Sequence, residues 1–97
     1  MPEVSDSRRP EAVVVIRNLK GLHARAAAKF VKCAETFDAD VHVSRDGQTV
    51  GGASIMGLMM LAASPGCCIR VTAEGEQAAE VMAALETLIS SRFGEEI

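Results

Sequence analysis

A chain of 97 residues, 48% hydrophobic and 24% charged, has room for one domain and a single core of modest size. A formal charge of −3, with the basic residues scattered, argues against a nucleic-acid or anionic-membrane binder. No apolar run approaches the roughly 18 residues that cross a bilayer, and the opening MPEVSDSRRP lacks a signal-peptide core, so the expected location is cytoplasmic.

Residues 1–10 carry charge and two prolines without periodicity and are expected to be a flexible N-terminal arm. The domain is expected over 11–92. Its first strand is the β-branched run at 12–16, followed by turn chemistry at 18–21. From 24 to about 37 the apolar Ala27, Phe30, Val31, Ala34 and Phe37 recur at helical spacing. Residues 41–44 alternate as a strand, Asp46-Gly47 is a hairpin turn, and 48–50 return as the partner. A short helix follows from 54 to about 63, opened by Ser54 as N-cap and closed by Ser64-Pro65-Gly66. Residues 67–73 alternate again, with Ile69 and Val71 on one face, and the last helix runs from about 76 to 92 on a stripe of Val81, Met82, Leu85, Leu88 and Ile89. Residues 93–97 are expected to be a C-terminal tail. The order β-α-β-β-α-β-α suits an α+β fold in which helices pack on one face of a four-stranded sheet.

Three cysteines, Cys33, Cys67 and Cys68, form neither a disulfide framework nor a C-x-x-C site and are read as buried small hydrophobes. With no Trp or Tyr the chain also lacks platforms for stacking bases or sugars. His42 falls opposite Val41 and Val43 and reads as a surface residue; it and His23 would need a third ligand to hold a metal, and nothing calls for a metal or cofactor.

The segment NLKGLHARAAAKF, residues 18–30, carries the chemistry. A helix beginning at Ala24 puts His23 at the N-cap, beside the backbone N–H groups of Ala24, Arg25 and Ala26, which have no intrahelical acceptor. Phosphate groups bind at such places, and histidine is a poor cap, so local stability does not explain it. A neutral imidazole can attack phosphorus, and the Arg25 guanidinium could reach the oxygens of the group so acquired. Gly21 is expected to relax the backbone and admit a partner. Taken alone, the spacing favours an ordinary surface histidine beside a turn, because one His and one Arg two residues apart recur by chance.

Three separated segments change that balance. Gly21-Leu22-His23-Ala24-Arg25 with the alanines after it, Ala53-Ser54-Ile55-Met56-Gly57-Leu58-Met59, and Val71-Thr72-Ala73-Glu74-Gly75 resemble, in the right order, the HPr family of histidine phosphocarriers of the bacterial phosphoenolpyruvate-dependent phosphotransferase system. The resemblance covers roughly residues 11–92. It implies an open-faced β-sandwich of four antiparallel strands under three helices, and a monomeric carrier rather than an enzyme. Such a carrier accepts a phosphoryl group on Nδ1 of His23 from enzyme I, assisted by Arg25, and passes it to an enzyme IIA-type protein.

It further implies that Ser54 is a regulatory phosphorylation site for an HPr kinase, and that Ile55, Met56, Leu58 and Met59 form the face that meets enzyme I and the IIA partner. Ile55, Met56, Leu58, Met59, Met60 and Leu61 already exceed what one face of a two-turn helix can bury, and exposed methionines suit a surface that accepts several partners. One departure stands out: Ala26 occupies the position where most of the family has proline. Alanine keeps the helix and adds one N–H near the phosphate. With the additional N-terminal residues it tips the expectation from sugar uptake toward a regulatory, nitrogen-linked branch. The competing function is a docking module that regulates targets according to its phosphorylation state, without an obligatory carrier role. A metallochaperone would need thiols paired at a strand–helix junction, which Cys67-Cys68 is not.

Overall fold

The computed structural model describes residues 10–95. Apart from Pro10, the expected N-terminal arm lies outside them. Strand β1 is Glu11–Val15, helix α1 Ala24–Glu35, β2 Asp40–Arg45, β3 Gln48–Gly51, α2 Ile55–Met60, β4 Cys68–Glu74 and α3 Ala78–Ser90, followed by a 3-10 turn at Arg92–Gly94. The strands form one sheet in the order β1-β4-β2-β3, and every neighbouring pair is antiparallel. Val13 sits opposite Arg70, and Val43 lies between Val71 on one side and Val50 on the other.

The period-two pattern sorts the two faces of this sheet. Val41, Val43, Ile69, Val71 and Ala73 are buried on the face that α1, α2 and α3 cover, where they meet Phe30, Leu58, Leu61, Val81, Leu85 and Ile89. His42, Cys68 and Arg70 stand on the other face, which is open. Val13 is 58% exposed there, so the continuous apolar run of β1 is covered on one side only. No helix among the described residues is long and apolar enough to cross a membrane.

The ends of the elements differ from expectation for identifiable reasons. Helix α1 stops at Glu35 rather than near 37, because the amides of Thr36 and Phe37 turn to Cys33 O and Ala34 O, three residues back, and that of Asp38 donates to the Gln77 side chain at 2.7 Å. Helix α2 ends at Met60: Ala62 takes a left-handed φ of 54°, Arg45 donates to Leu61 O at 2.9 Å, and Ala63 O accepts the Leu22 amide at 2.9 Å.

Beyond α3 the segment expected to be a tail is folded as far as Glu95. Phe93 is 1% exposed within the core, and its carbonyl accepts a hydrogen bond from Lys29 at 2.6 Å. The cysteines also depart from the expectation of burial. Cys68 is exposed on the open sheet face because β4 alternates, and Cys67, half-buried, faces Arg45 and Ser64. Burial raises the Cys33 thiol pKa, whereas hydrogen bonds from Ser64, followed by Arg45, lower that of Cys67 despite partial desolvation.

Candidate functional site

Helix α1 begins at Ala24, so His23 is its N-cap residue, with extended backbone at φ −75° and ψ 178°. A cap normally offers a side-chain oxygen to the first free amides. Here the imidazole does so: Nδ1 accepts the Arg25 N–H at 3.3 Å. The Ala27 amide is taken by His23 O at 2.8 Å, while those of Ala24 and Ala26 have no backbone acceptor among the described residues. An anion seated off Nδ1 would find the donors expected from the sequence, together with the positive end of a three-turn helix.

The other ring nitrogen is engaged as well. Nε2 lies 2.6 Å from Glu95 Oε2, and Glu95 Oε1 accepts from Asn18 Nδ2 at 3.0 Å. The same Asn18 nitrogen donates to Gly21 O at 2.8 Å, so the turn before His23 and the carboxylate behind it hang on one buried side chain. Since Nδ1 accepts a backbone N–H and Nε2 faces a carboxylate, the neutral ring carries its proton on Nε2 and keeps a free electron pair on Nδ1. The ring remains 26% exposed, enough for a partner to reach it.

For Glu95, burial opposes the charged form, but hydrogen bonds from His23 and Asn18 and the charges of the His23 ring and Lys29 outweigh it. The carboxyl is therefore held below its ordinary value. Neither Glu95 nor Asn18 was expected at the site: residue 95 is 72 positions from His23, and no periodicity links a turn asparagine to a terminal acid.

Arg25 lies in the first turn of α1, is exposed, and its guanidinium enters no ion pair or side-chain hydrogen bond among the described residues. Gly21 has another role than the expected one. It is buried with φ +65°, and a Cβ there would come within 2.3 Å of Ala63 O. The glycine therefore lets the 18–23 loop press against the chain that leaves α2, rather than admitting a partner.

That contact sets α2 beside the histidine. Ser54 caps the helix, its Oγ accepting the Gly57 amide at 2.9 Å. Met56 is 73% exposed, Met60 68%, Met59 41% and Ile55 40%. Leu58, expected on the docking face with Ile55, Met56 and Met59, is fully buried: in a helix it faces opposite to Met56 and Met60 and fills the core. Met60 takes its place on the exposed side.

His42 is exposed on the open face, beside a depression of about 720 Å³ lined by Glu11, Asp40, Thr49, Thr72 and Glu74 among others, with neither His23 nor Arg25 in its walls. His23 is partly exposed and Arg25 exposed away from that depression, an arrangement that suits the meeting of two protein surfaces better than the enclosure of a small molecule.

Comparison with known proteins agrees with this geometry. Residues 10–91 match the family model described as the PTS HPr component phosphorylation site. The chain is 48% identical over 82 residues to the phosphocarrier protein HPr of Neisseria meningitidis, covering 84% of this chain and 92% of the relative. In fold it is similar to the crystal structure of HPr-C-His from Thermoanaerobacter tengcongensis, with a TM-score of 0.87, 43% identity, and coverage of 91% and 99%. A third similarity is to Crh, a catabolite repression protein of Bacillus subtilis described as a domain-swapped dimer. There the TM-score is 0.70, the identity 40%, and the coverage 81% and 91%.

Proposed function

The chain belongs to the HPr family, phosphocarrier proteins of the phosphotransferase system and not enzymes, and from that premise we propose that Nδ1 of His23 is its phosphoryl acceptor. The observation that carries the proposal is the pair of contacts on the ring, an amide donating to Nδ1 and a carboxylate at Nε2, which leaves Nδ1 unprotonated. In the transfer the Nδ1 electron pair attacks phosphorus while the bond to the donor's phosphorylated histidine breaks. No proton has to move at the accepting ring, because the Nε2 proton stays where it is.

Arg25 turns its free guanidinium to the incoming oxygens, and the Arg25 amide, released once Nδ1 is bonded to phosphorus, joins those of Ala24 and Ala26 as a donor. The donor is enzyme I and the acceptor an enzyme IIA-type protein, and both dock over the exposed Ile55, Met56, Met59 and Met60 beside the histidine. The carrier works in the cytoplasm as a single chain. Sedimentation at working concentration checks the single-chain form against the dimer described for Crh.

Ser54 is the regulatory position in this scheme. A kinase that phosphorylated it would exchange the Gly57 contact for a dianion beside the docking methionines, opposing acidic partner surfaces. The branch served is the regulatory one, on the strength of Ala26; comparing transfer to nitrogen-type and sugar-type IIA proteins tests it.

The deciding experiment is the intact mass of the protein and of His23→Ala after incubation with phosphoenolpyruvate and enzyme I, before and after brief acid treatment. One acid-labile phosphoryl group on the native protein alone is the expected result. No gain with several competent enzymes I would leave a docking module that acts without carrying phosphate.

A further inference from the structure

Among the described residues Glu95 is the acidic side chain on the imidazole, and a run of left-handed backbone brings it there. After α3, Arg92, Phe93 and Gly94 all adopt left-handed backbone, with φ of 61°, 56° and 77°. Two of these are not glycine, and such residues avoid that region unless the surroundings impose it. Burial of Phe93 and the Lys29 hydrogen bond to its carbonyl impose it here. The outcome is a reversal that returns the next residue, Glu95, to the entrance of α1, where its side chain is only 15% exposed.

Both carboxylate oxygens are then used, Oε2 on His23 Nε2 and Oε1 on Asn18 Nδ2. Asn18 has no freedom to give way. It is fully buried, and its amide nitrogen must face both Gly21 O and Glu95. The resulting chain, asparagine to carboxylate to imidazole, has the form of the orienting partners that fix histidine tautomers in other reactive sites.

Given the carrier role proposed above, we infer that Glu95, held by Asn18, is a positioning residue for phosphoryl transfer at His23. It acts through the ring and not on phosphorus. Before transfer it keeps the proton on Nε2, so that the nitrogen facing the donor holds the electron pair. When the new P–N bond forms at Nδ1, the ring retains the Nε2 proton and becomes cationic, and the carboxylate 2.6 Å away offsets that charge. In onward transfer the same P–N bond breaks, the electron pair returns to Nδ1, and the ring is again neutral with its proton still on Nε2.

The test reads the ring directly. In the full chain, at a pH above the ordinary imidazole range, the nitrogen-15 shifts of His23 should show one bare nitrogen, Nδ1, and one that bears a proton. In Glu95→Ala the two shifts should move toward each other as the second tautomer becomes populated, and the rate of phosphoryl acceptance should fall about tenfold. Glu95→Gln keeps one oxygen, for which the Asn18 and His23 N–H groups compete, so it should restore the separation of the shifts only in part and recover less of the rate, since it also cannot offset the cation. Unchanged ring shifts in Glu95→Ala would overturn the inference, even if that variant still gained its phosphoryl group. Shifts that respond as expected in a native protein that never gains phosphate would instead uphold the positioning and refute the carrier.

Discussion

The entrance of α1 and the two turns of α2 are packed against each other, yet they are held on opposite terms. At the first, His23 is fixed from both ring nitrogens, and the partners of Glu95 and Asn18 are specified atom by atom. At the second, Met56, Met59 and Met60 project into solvent, while buried Leu58 and Leu61, the Ser54 cap and the Arg45 bond to Leu61 O hold the backbone of the helix from behind. Hydrogen bonds select one geometry, which a group-transfer step requires. Soft, unbranched side chains accommodate many shapes, which suits a carrier that meets a donor and an acceptor in turn.

The sharpest break in the comparison should fall within α2 itself. Leu58→Ala removes a fully buried side chain and should cost about 2–5 kcal/mol of stability, whereas Met56→Ala on the exposed side should stay within about 0.5 kcal/mol. Denaturant melts of the two variants measure both. Equal losses would mean that the helix has no exposed working face. A second prediction concerns the other region: Arg25→Ala should slow phosphoryl acceptance by on the order of 100-fold, the usual effect of removing one transition-state donor, and leave the melt unchanged. A smaller effect is expected from Met56→Ala combined with Met60→Ala. Affinity for the donor protein should drop about tenfold while the single-turnover rate at saturating donor holds. A fall in that rate instead would show that the methionines align the histidine and do not merely dock.

The same contrast explains what could be read from the sequence. Periodicity located α1, β2, β4 and α3, because burial repeats every second residue in β4 and every third or fourth in α3, whereas β1 was read from its β-branched run and α2 from its cap and stop signals. His23 at the N-cap was legible too, since a helix start is a local feature. Leu58 was misassigned because an all-apolar two-turn helix has no polar face to mark which side is inside. Glu95 and Asn18 were invisible for a different reason: their contact joins positions 77 apart, and three left-handed residues are needed to close it. Gly21 gave the right conformation and the wrong cause, as its neighbour is the Ala63 carbonyl of the same chain.

The smallest expected effect is a difference in acid response between the two regions. Helix α2, Ile55–Met60, contains no ionisable side chain, while the entrance of α1 depends on a carboxylate whose pKa is lowered in the fold from 4.5. A group depressed by folding contributes its stabilisation fully above the unfolded value and loses it as pH falls through the folded one. The contact between Glu95 and His23 should therefore persist through neutral and mildly acidic solution and release only below the ordinary glutamate range. Amide signals of Phe93, Gly94 and Glu95 should then move together during an acid titration while the methyl signals of Met56 and Met60 hold still. In Glu95→Gln that concerted movement should disappear. Movement of the 93–95 signals already well above the ordinary glutamate value would assign control of the turn to another group. Methionine signals that followed the carboxylate would mean that the docking face senses the ring's partner, and that the two regions are one device rather than two.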